Sequence, residues 1–581
     1  MRWDSYGQRD TRWMQDGDSG FRGIDMLHDR GSLPAGYLAR AENKRLRDGV
    51  ASTRAGIVTP SEFNPGFEDV IIGSGMYNNP NGDRVMLVAP RSTNHVWVLQ
   101  DGKDPIQIPL DSTDTGTFMV NFVQAFDKVL LLRFPLQTPL VWDGTTSGPT
   151  AKFTAVTTPG PHTLIPASVA GVPFEARVLL YNPYFTSAPQ RDQVIMTDVL
   201  DYTQYDNVLG VFRINAGESD AITSIFPYNR GSVVVFKRYS IHLLADFTIS
   251  AFAASQRVLN AKIGSAGIHA PCQSGGDITF LSETGGIYKL SEVIQDNVVT
   301  DPTPISLPIQ PVIDRIDWSR AHLYACSETL GPYTFFALPL DQAADLVANN
   351  AILVLNNETR EWESAPDWWD DPDFRIARLH TTLYDGKLEL FGIDYARKNV
   401  HLMYKGTDDE IAGNLRPVKD LIETRGYTLG DPSVWKRFAR VNVGLRTYDP
   451  NAVVTALSDG YNEEKQLATV TKNRLRFYMH GRGLFNPATD DPTEPRREDY
   501  SIAENKYATE DFEELPDGQM LFMPGTSIVN SGVKQQSLER FQVRQNGRWC
   551  SIRIANSSGQ CDVLGVSVEG IAAQSATRTM A

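Results

Sequence analysis

From residue 69 to about residue 404 the chain is written almost entirely in short strands and turns, with no helical period sustained over that distance. Residues 193–244 are the densest part, QVIMTDVLDYTQYDNVLGVFRINAGESDAITSIFPYNRGSVVVFKRYSIHLL. Runs of Val, Ile, Phe and Tyr at 194–196, 212–214, 222–226, 233–236 and 240–244 read as five strands. The last three are joined by Asn229-Arg230-Gly231 and Lys237-Arg238-Tyr239, short enough for antiparallel hairpins. Successive hairpins make a meander, the unit from which a propeller blade is built.

Strand runs of the same kind recur on both sides, at 85–89, 95–99, 106–110, 118–125, 129–133, 139–142, 177–181, 277–281, 286–290, 333–338, 352–355 and 382–391. At about 45 to 60 residues per four-stranded sheet they amount to roughly five to seven blades. The expected fold class is all-β: a β-propeller over residues 69–406 with an added β-sandwich-like module. The repeat is degenerate, without a WD or kelch motif, and composition alone leaves a pair of stacked sandwiches open. The best helical candidate, 342–349, is short.

The flanks differ from this middle. Residues 1–32 are polar, with Trp3, Tyr6, Trp13 and Phe21 scattered among Arg and Asp. Such a segment cannot bury a core of its own; it suits either a frayed terminus or an arm that docks on another surface. Within it, Asp16-Gly17-Asp18-Ser19-Gly20 opens like a calcium loop, but Leu27 stands where the closing Glu is needed. In residues 33–68, the stretch 39–47 could form a short helix by propensity, but Asp48-Gly49 is a strong turn signal between 44–47 and 50–54, so a hairpin segment is favoured. After a linker at 407–434, residues 435–571 resume strand alternation, with Arg437, Ala439, Val441, Val443 and Leu445 set against Phe438, Arg440, Asn442 and Gly444. This is the expected sandwich-like module; 486–512 reads as its long loop and 572–581 as a fraying tail.

Several function classes are disfavoured. A net charge of -15 repels nucleic acid and anionic membrane unless basic groups are segregated. No uninterrupted apolar run is long enough to span a bilayer, and the start has no signal-peptide core, so the expectation is a chain made and kept in the cytosol. Four cysteines make no disulfide framework; Cys550 and Cys561 flank an expected hairpin turn at 556–559 and would lie out of register across it, so all four read as reduced. The phosphate loop, HExxH, CxxC and GxSxG are all missing, and no cofactor or metal is expected.

Two chemical constellations remain. Ser112-Thr113-Asp114-Thr115-Gly116-Thr117-Phe118 approaches a structural turn of sialidase-like propellers, one residue short, and reads more simply as a polar hairpin. The run Asp367, Trp368, Trp369, Asp370, Asp371, Asp373 could form a sugar platform with paired carboxylates, or an exposed loop whose tryptophans pack on a neighbouring subunit; the second is favoured. Glu218 and Asp220 could hold a cation, but a charged inter-strand turn is simpler.

Two sets of residues carry a resemblance. The first is Pro34, Ala35, Ala41-Glu42, Asn43, the basic run 44–47, Gly49 and Arg54-Ala55-Gly56. The second runs from Asp198-Val199-Leu200-Asp201-Tyr202-Thr203-Gln204-Tyr205-Asp206 through Arg213-Ile214-Asn215-Ala216-Gly217, Asp220-Ala221-Ile222 and Val235-Phe236-Lys237 to 264–271 and 276–290. Covering about a third of the chain, this set resembles the tail nozzle, or tail tube terminator, proteins of short-tailed double-stranded DNA bacteriophages. The resemblance implies a virion protein without enzymatic activity, made in the host cytoplasm. Its expected partners are copies of itself in a hexameric ring, a tail adaptor protein, tail fibres or spikes, and genomic DNA in transit without sequence-specific binding; no membrane insertion is implied. A negative chain fits such a conduit, since a lumen that attracted phosphate would hold the DNA. Trp3, Trp13, Arg45, Arg47, Trp368 and Trp369 are the interface candidates. The alternatives are a propeller-fold glycan hydrolase using the 367–373 carboxylates and a receptor-binding tail protein.

Overall fold

The computed structural model describes residues 13–91, 93–111, 119–134, 137–157, 160–185, 188–217, 219–246, 255–296, 302–341, 348–368, 371–448, 450–459, 464–470 and 535–572. The chain divides into two compact units: Gly56–Leu415, and one made from both ends, Met1–Ala55 with Arg416–Ala581.

The Gly56–Leu415 unit is a seven-bladed propeller. Six sheets follow one another along the chain, beginning at strands Ile71–Asn78, Met119–Ala125, Ser168–Phe174, Ile222–Asn229, Cys272–Ser274 and Cys326–Leu330; the seventh begins at Arg378–Tyr384. The fifth has three strands among the described residues and is extended by helix Leu290–Asp296. Each opening strand lies beside that of a neighbouring blade, and Arg378–Tyr384 returns to lie beside Ile71–Asn78, so the ring is closed. The approach is tight: a Cβ on Gly73 would sit 2.3 Å from the Val120 carbonyl oxygen. Ile57 and Val58 supply the fourth strand of the seventh blade by pairing with Met403 and Leu402, and Asp408–Ile411 and Asn414–Pro417 extend the sheet beyond it. Two residues from the start of the unit thus clasp its end.

Strand alternation explains why blade strands read as continuous apolar runs. In Ser232–Lys237 every residue is buried, because Val233 and Val235 enter the core shared with the third blade while Val234 and Phe236 enter the core shared with the fifth. Leu130 and Leu132 divide from Val129 and Leu131 in the same way. The dense stretch 193–244 proves to straddle two blades: Gln193–Met196 and Val211–Arg213 close the third, and Ile222–Asn229, Ser232–Lys237 and Ile241–Ala245 build the fourth. Helices Gln310–Ile313 and Trp318–Tyr324 were not expected; the helical candidate at 342–349 lies mostly outside the described residues.

The second unit contains two six-stranded sheets. One holds Lys44–Arg47, Val50–Thr53, Gln560–Ala572, Lys436–Tyr448 and Gln535–Gly547 in spatial order, with Met14–Asp18 also paired to Gln560–Ala572. The other holds Gly23–Ile24, Tyr37–Glu42, Asp420–Thr424, Cys550–Asn556, Ala452–Ser458 and Lys465–Val470. The 44–54 hairpin forms as expected, with Asp48 and Gly49 at φ 52° and 79°.

Several boundaries need correcting. The described part of the 1–32 arm is not free to dock elsewhere: Met14–Asp18 is a strand of its own unit, and Arg425 grips Asp16 and Asp18 at 2.6 and 3.1 Å. Residues 33–68 are divided between the two units, and the supposed linker contributes the Asp420–Thr424 strand. A bulge between Phe438 and Arg440 shifts the alternation of the 436–448 strand, so Lys436 and Phe438 are buried on the inward side in place of Arg437 and Ala439. Cys550–Asn556 and Gln560–Ala572 belong to different sheets, so the turn at 556–559 is not a hairpin. All four cysteines are buried and unbonded.

Buried charge joins the distant ends of this unit. Lys44 Nζ and Asp420 Oδ1 lie 2.7 Å apart with both side chains essentially sealed from water, and Thr53 Oγ1 donates to Asp420 Oδ2 at 2.6 Å. Glu423 accepts Arg30 at 2.7 Å and Arg553 at 2.5 Å.

Candidate functional site

The residues singled out from the sequence do not converge. Trp3, Trp369, Asp370, Glu218 and the turn 112–118 lie outside the described residues. Trp13 is 56% exposed, with the Arg440 guanidinium 5.5 Å from its ring centroid. Arg45 donates to the Lys44 carbonyl at 2.5 Å, and Arg47 is exposed at the hairpin end. Trp368 corrects the expectation of a subunit contact. It is buried in the propeller, stacked on Phe374 at 4.7 Å and packed against Tyr404.

The carboxylates of the same run have structural partners. Asp367 accepts from Ser364 Oγ at 2.5 Å and Tyr404 Oη at 3.0 Å, and Asp373 pairs with Arg397. Asp220 accepts from Arg238 N at 2.9 Å and Ser240 Oγ at 2.9 Å, which makes it a turn cap. Among the described residues no cluster of His, Cys, Asp or Glu could hold a metal ion, and no helix is long and apolar enough to cross a membrane.

Two features stand out in their place. One is the loop between the last two strands of the third blade. Val199, Leu200 and Val208 are 56%, 73% and 61% exposed, and they are held there by hydrogen bonds. Leu200 N donates to Ala176 O at 2.8 Å and sits at φ 58°, Asp201 accepts from Thr203 N at 2.8 Å, and Asp206 Oδ1 accepts from Val208 N and Leu209 N at 2.8 and 3.0 Å. His162 Nδ1 meets Asp198 Oδ2 at 2.7 Å, and that contact raises the His162 pKa. A tied loop cannot fold its apolar side chains back, so they form a fixed apolar surface. This loop contains the longest motif of the phage resemblance.

The other feature is a polar pit of about 350 Å³ at the propeller axis, lined by Phe226, His269, Glu328, Arg378 and His380 among others. The opening strands supply it: His380 Nε2 meets Ser74 Oγ of the first blade at 2.9 Å, and His269 Nε2 meets Asn121 Oδ1 of the second at 3.3 Å. Thr381 Oγ1 donates to Glu328 Oε1 at 2.9 Å while accepting from Arg84 at 3.2 Å. Glu328 keeps some surface open to the pit, yet protein surrounds it, and burial pushes its carboxyl up to about 7. Burial, with Arg378 and Arg84 nearby, lowers His380 to about 3, and burial with Arg378 and His380 lowers His269 well below its usual value. Sequence reasoning missed this site. Its one signal is Arg378 and His380 two apart in a strand, hence on one face.

No protein-family model matches the chain, and no curated protein matches it. Solved structures resemble it distantly. The β-propeller domain of Myceliophteria thermophila Cps50 (Swd1) aligns at 9% identity and TM-score 0.34, covering 57% of this chain and 96% of that one. YCF48 bound to D1 peptide aligns at 10% identity and TM-score 0.35, covering 61% and 95%. Catalytically inactive H270A virginiamycin B lyase from Staphylococcus aureus aligns at 9% and 0.34, covering 60% and 98%. These are likenesses of propellers, and no activity passes from them to this chain.

Proposed function

We propose that this chain is a structural subunit of the tail of a short-tailed double-stranded DNA bacteriophage, assembling with copies of itself into the nozzle ring through which the genome leaves. The observation that carries the reading is the loop at residues 198–209, where the longest motif shared with such proteins coincides with apolar side chains fixed outward at Val199, Leu200 and Val208. Apolar surface held in water by a hydrogen-bonded loop is costly unless a partner covers it, and in a ring each copy meets its neighbour. The closed propeller suits a rigid part, because every described core cluster in it joins two blades. On this reading the ring is a hexamer beneath an adaptor, carries fibres or spikes, and passes DNA without sequence-specific contacts or catalysis.

The test is a double substitution, Leu200→Asp with Val208→Asp, followed by sedimentation and incorporation into particles. The expected result is a folded, strand-rich subunit that no longer self-associates or enters particles. Association and incorporation equal to the parent chain would contradict the proposal.

A further inference from the structure

The axial pit contains a cation without a counter-ion. Arg378 is 4% exposed. Its guanidinium donates to the Ala377 carbonyl at 3.0 Å and the Leu323 carbonyl at 3.5 Å, approaches the Met119 thioether at 3.8 Å, and lies 5.9 Å from the Tyr395 ring centroid. Among the described residues no carboxylate comes within salt-bridge distance of it. Two other buried cations are paired with carboxylates, Lys44 with Asp420 and Arg425 with Asp16 and Asp18, whereas Lys436 is held by the Asp431 and Arg548 carbonyls. Burying an unpaired charge costs several kcal/mol, so the pit is prepared for an anion.

We propose that the pit binds a small carboxylate with a short apolar body, anchored on Arg378. Guanidinium and carboxylate match as a planar two-bond pair. Phe226, Ile268, Pro271 and Leu379 supply apolar lining for the body, and a volume of about 350 Å³ admits a ligand the size of benzoate. Glu328 lines the same pit and accounts for selectivity between protonation states. Protonated, it donates a hydrogen bond to the second face of the bound carboxylate; ionised, it repels it.

The other titratable groups facing these two residues do not change charge between pH 6 and 8. His269 and His380 are held neutral, Cys272 and Cys326 remain thiols with burial pushing them up to about 11 and about 12, and burial raises Tyr181, Tyr324 and Tyr395. Arg84 reaches Glu328 through Thr381. Glu328, at about 7, is therefore the group that titrates, and affinity falls as pH rises. This inference does not depend on assembly.

The experiment titrates the full chain with benzoate, and separately with inorganic phosphate, at pH 6 and pH 8, reading heat and melting temperature. Benzoate should saturate and raise the melting temperature at pH 6, with affinity about tenfold weaker at pH 8 as the protonated fraction of Glu328 falls. Phosphate should not compete. Arg378→Met should abolish binding, and Glu328→Gln should retain it while flattening the pH response. Should Arg378→Met fail to fold, the Glu328→Gln response decides. Absence of saturable benzoate binding at about 10 mM, preference for phosphate, undiminished binding by folded Arg378→Met, or an unchanged pH response in Glu328→Gln would each overturn the proposal.

Discussion

The two units reach their folds by opposite routes. The propeller is assembled from neighbours in sequence: each blade is a meander whose hairpins close locally, and the one distant element is the Ile57–Val58 clasp. The two-sheet unit is assembled from opposite ends of the chain. Gln560–Ala572 pairs with Met14–Asp18 and with Val50–Thr53, and Asp420–Thr424 lies between Tyr37–Glu42 and Cys550–Asn556. Their cohesion differs accordingly. Blades meet through apolar clusters such as Val233, Val235, Leu179 and Val194, whereas in the second unit buried apolar side chains such as Leu38, Ile422 and Ile554 are accompanied by buried ion pairs between distant segments, Lys44–Asp420, Arg425–Asp18 and Glu423–Arg553. Apolar contact is permissive about partner and suits repeating blades; a buried ion pair tolerates one partner and suits segments that must find each other across the chain.

The contrast can be broken most severely at Lys44. Lys44→Met leaves Asp420 buried without its cation and should destabilise the two-sheet unit by about 3–5 kcal/mol. Hydrogen exchange should accelerate in Lys436–Tyr448 while the blades keep their protection; equal loss in both units would erase the distinction. A double Lys44→Met with Asp420→Leu should recover much of that loss.

The clasp comes next. Ile57 is fully buried among Phe335, Ile376, Leu379 and Met403, so Ile57→Ala should cost about 2–4 kcal/mol. Chemical denaturation should record the loss, with exchange rising first in Asn399–Met403. If the seventh blade retained its protection, closure would not depend on the clasp.

The smallest effect concerns Gly49, whose positive φ the hairpin requires. Gly49→Ala should lower stability by about 1 kcal/mol, measurable as a shift in denaturation midpoint. An unchanged midpoint would show that the turn relaxes at no cost.

What the sequence reveals follows the same division. Strands 222–229, 232–237 and 241–245 were legible because their partners are adjacent and their turns carry Gly231 or short polar links. Met14–Asp18 was not, because MQDGD has no apolar alternation and its partner strand, Gln560–Ala572, lies at the far end of the chain. The bulge at Phe438 hid the start of the 436–448 pattern, since one extra residue puts Lys436 and Phe438 on the face that Val441, Val443 and Leu445 share. The axial pit was illegible for a further reason: Ser74, Asn121, His269, Glu328 and Arg378 come from different blades, and no spacing within one segment announces a site that ring closure creates.

Position in the particle is the sharpest test of the proposal that the closed propeller is a part of a phage tail conduit. Particles carrying an epitope tag on this chain should, when imaged by electron microscopy with a tag-specific label, show the label as a ring at the distal end of the tail. Intact tails without the label, with the tagged chain recovered only outside particles, would contradict the account.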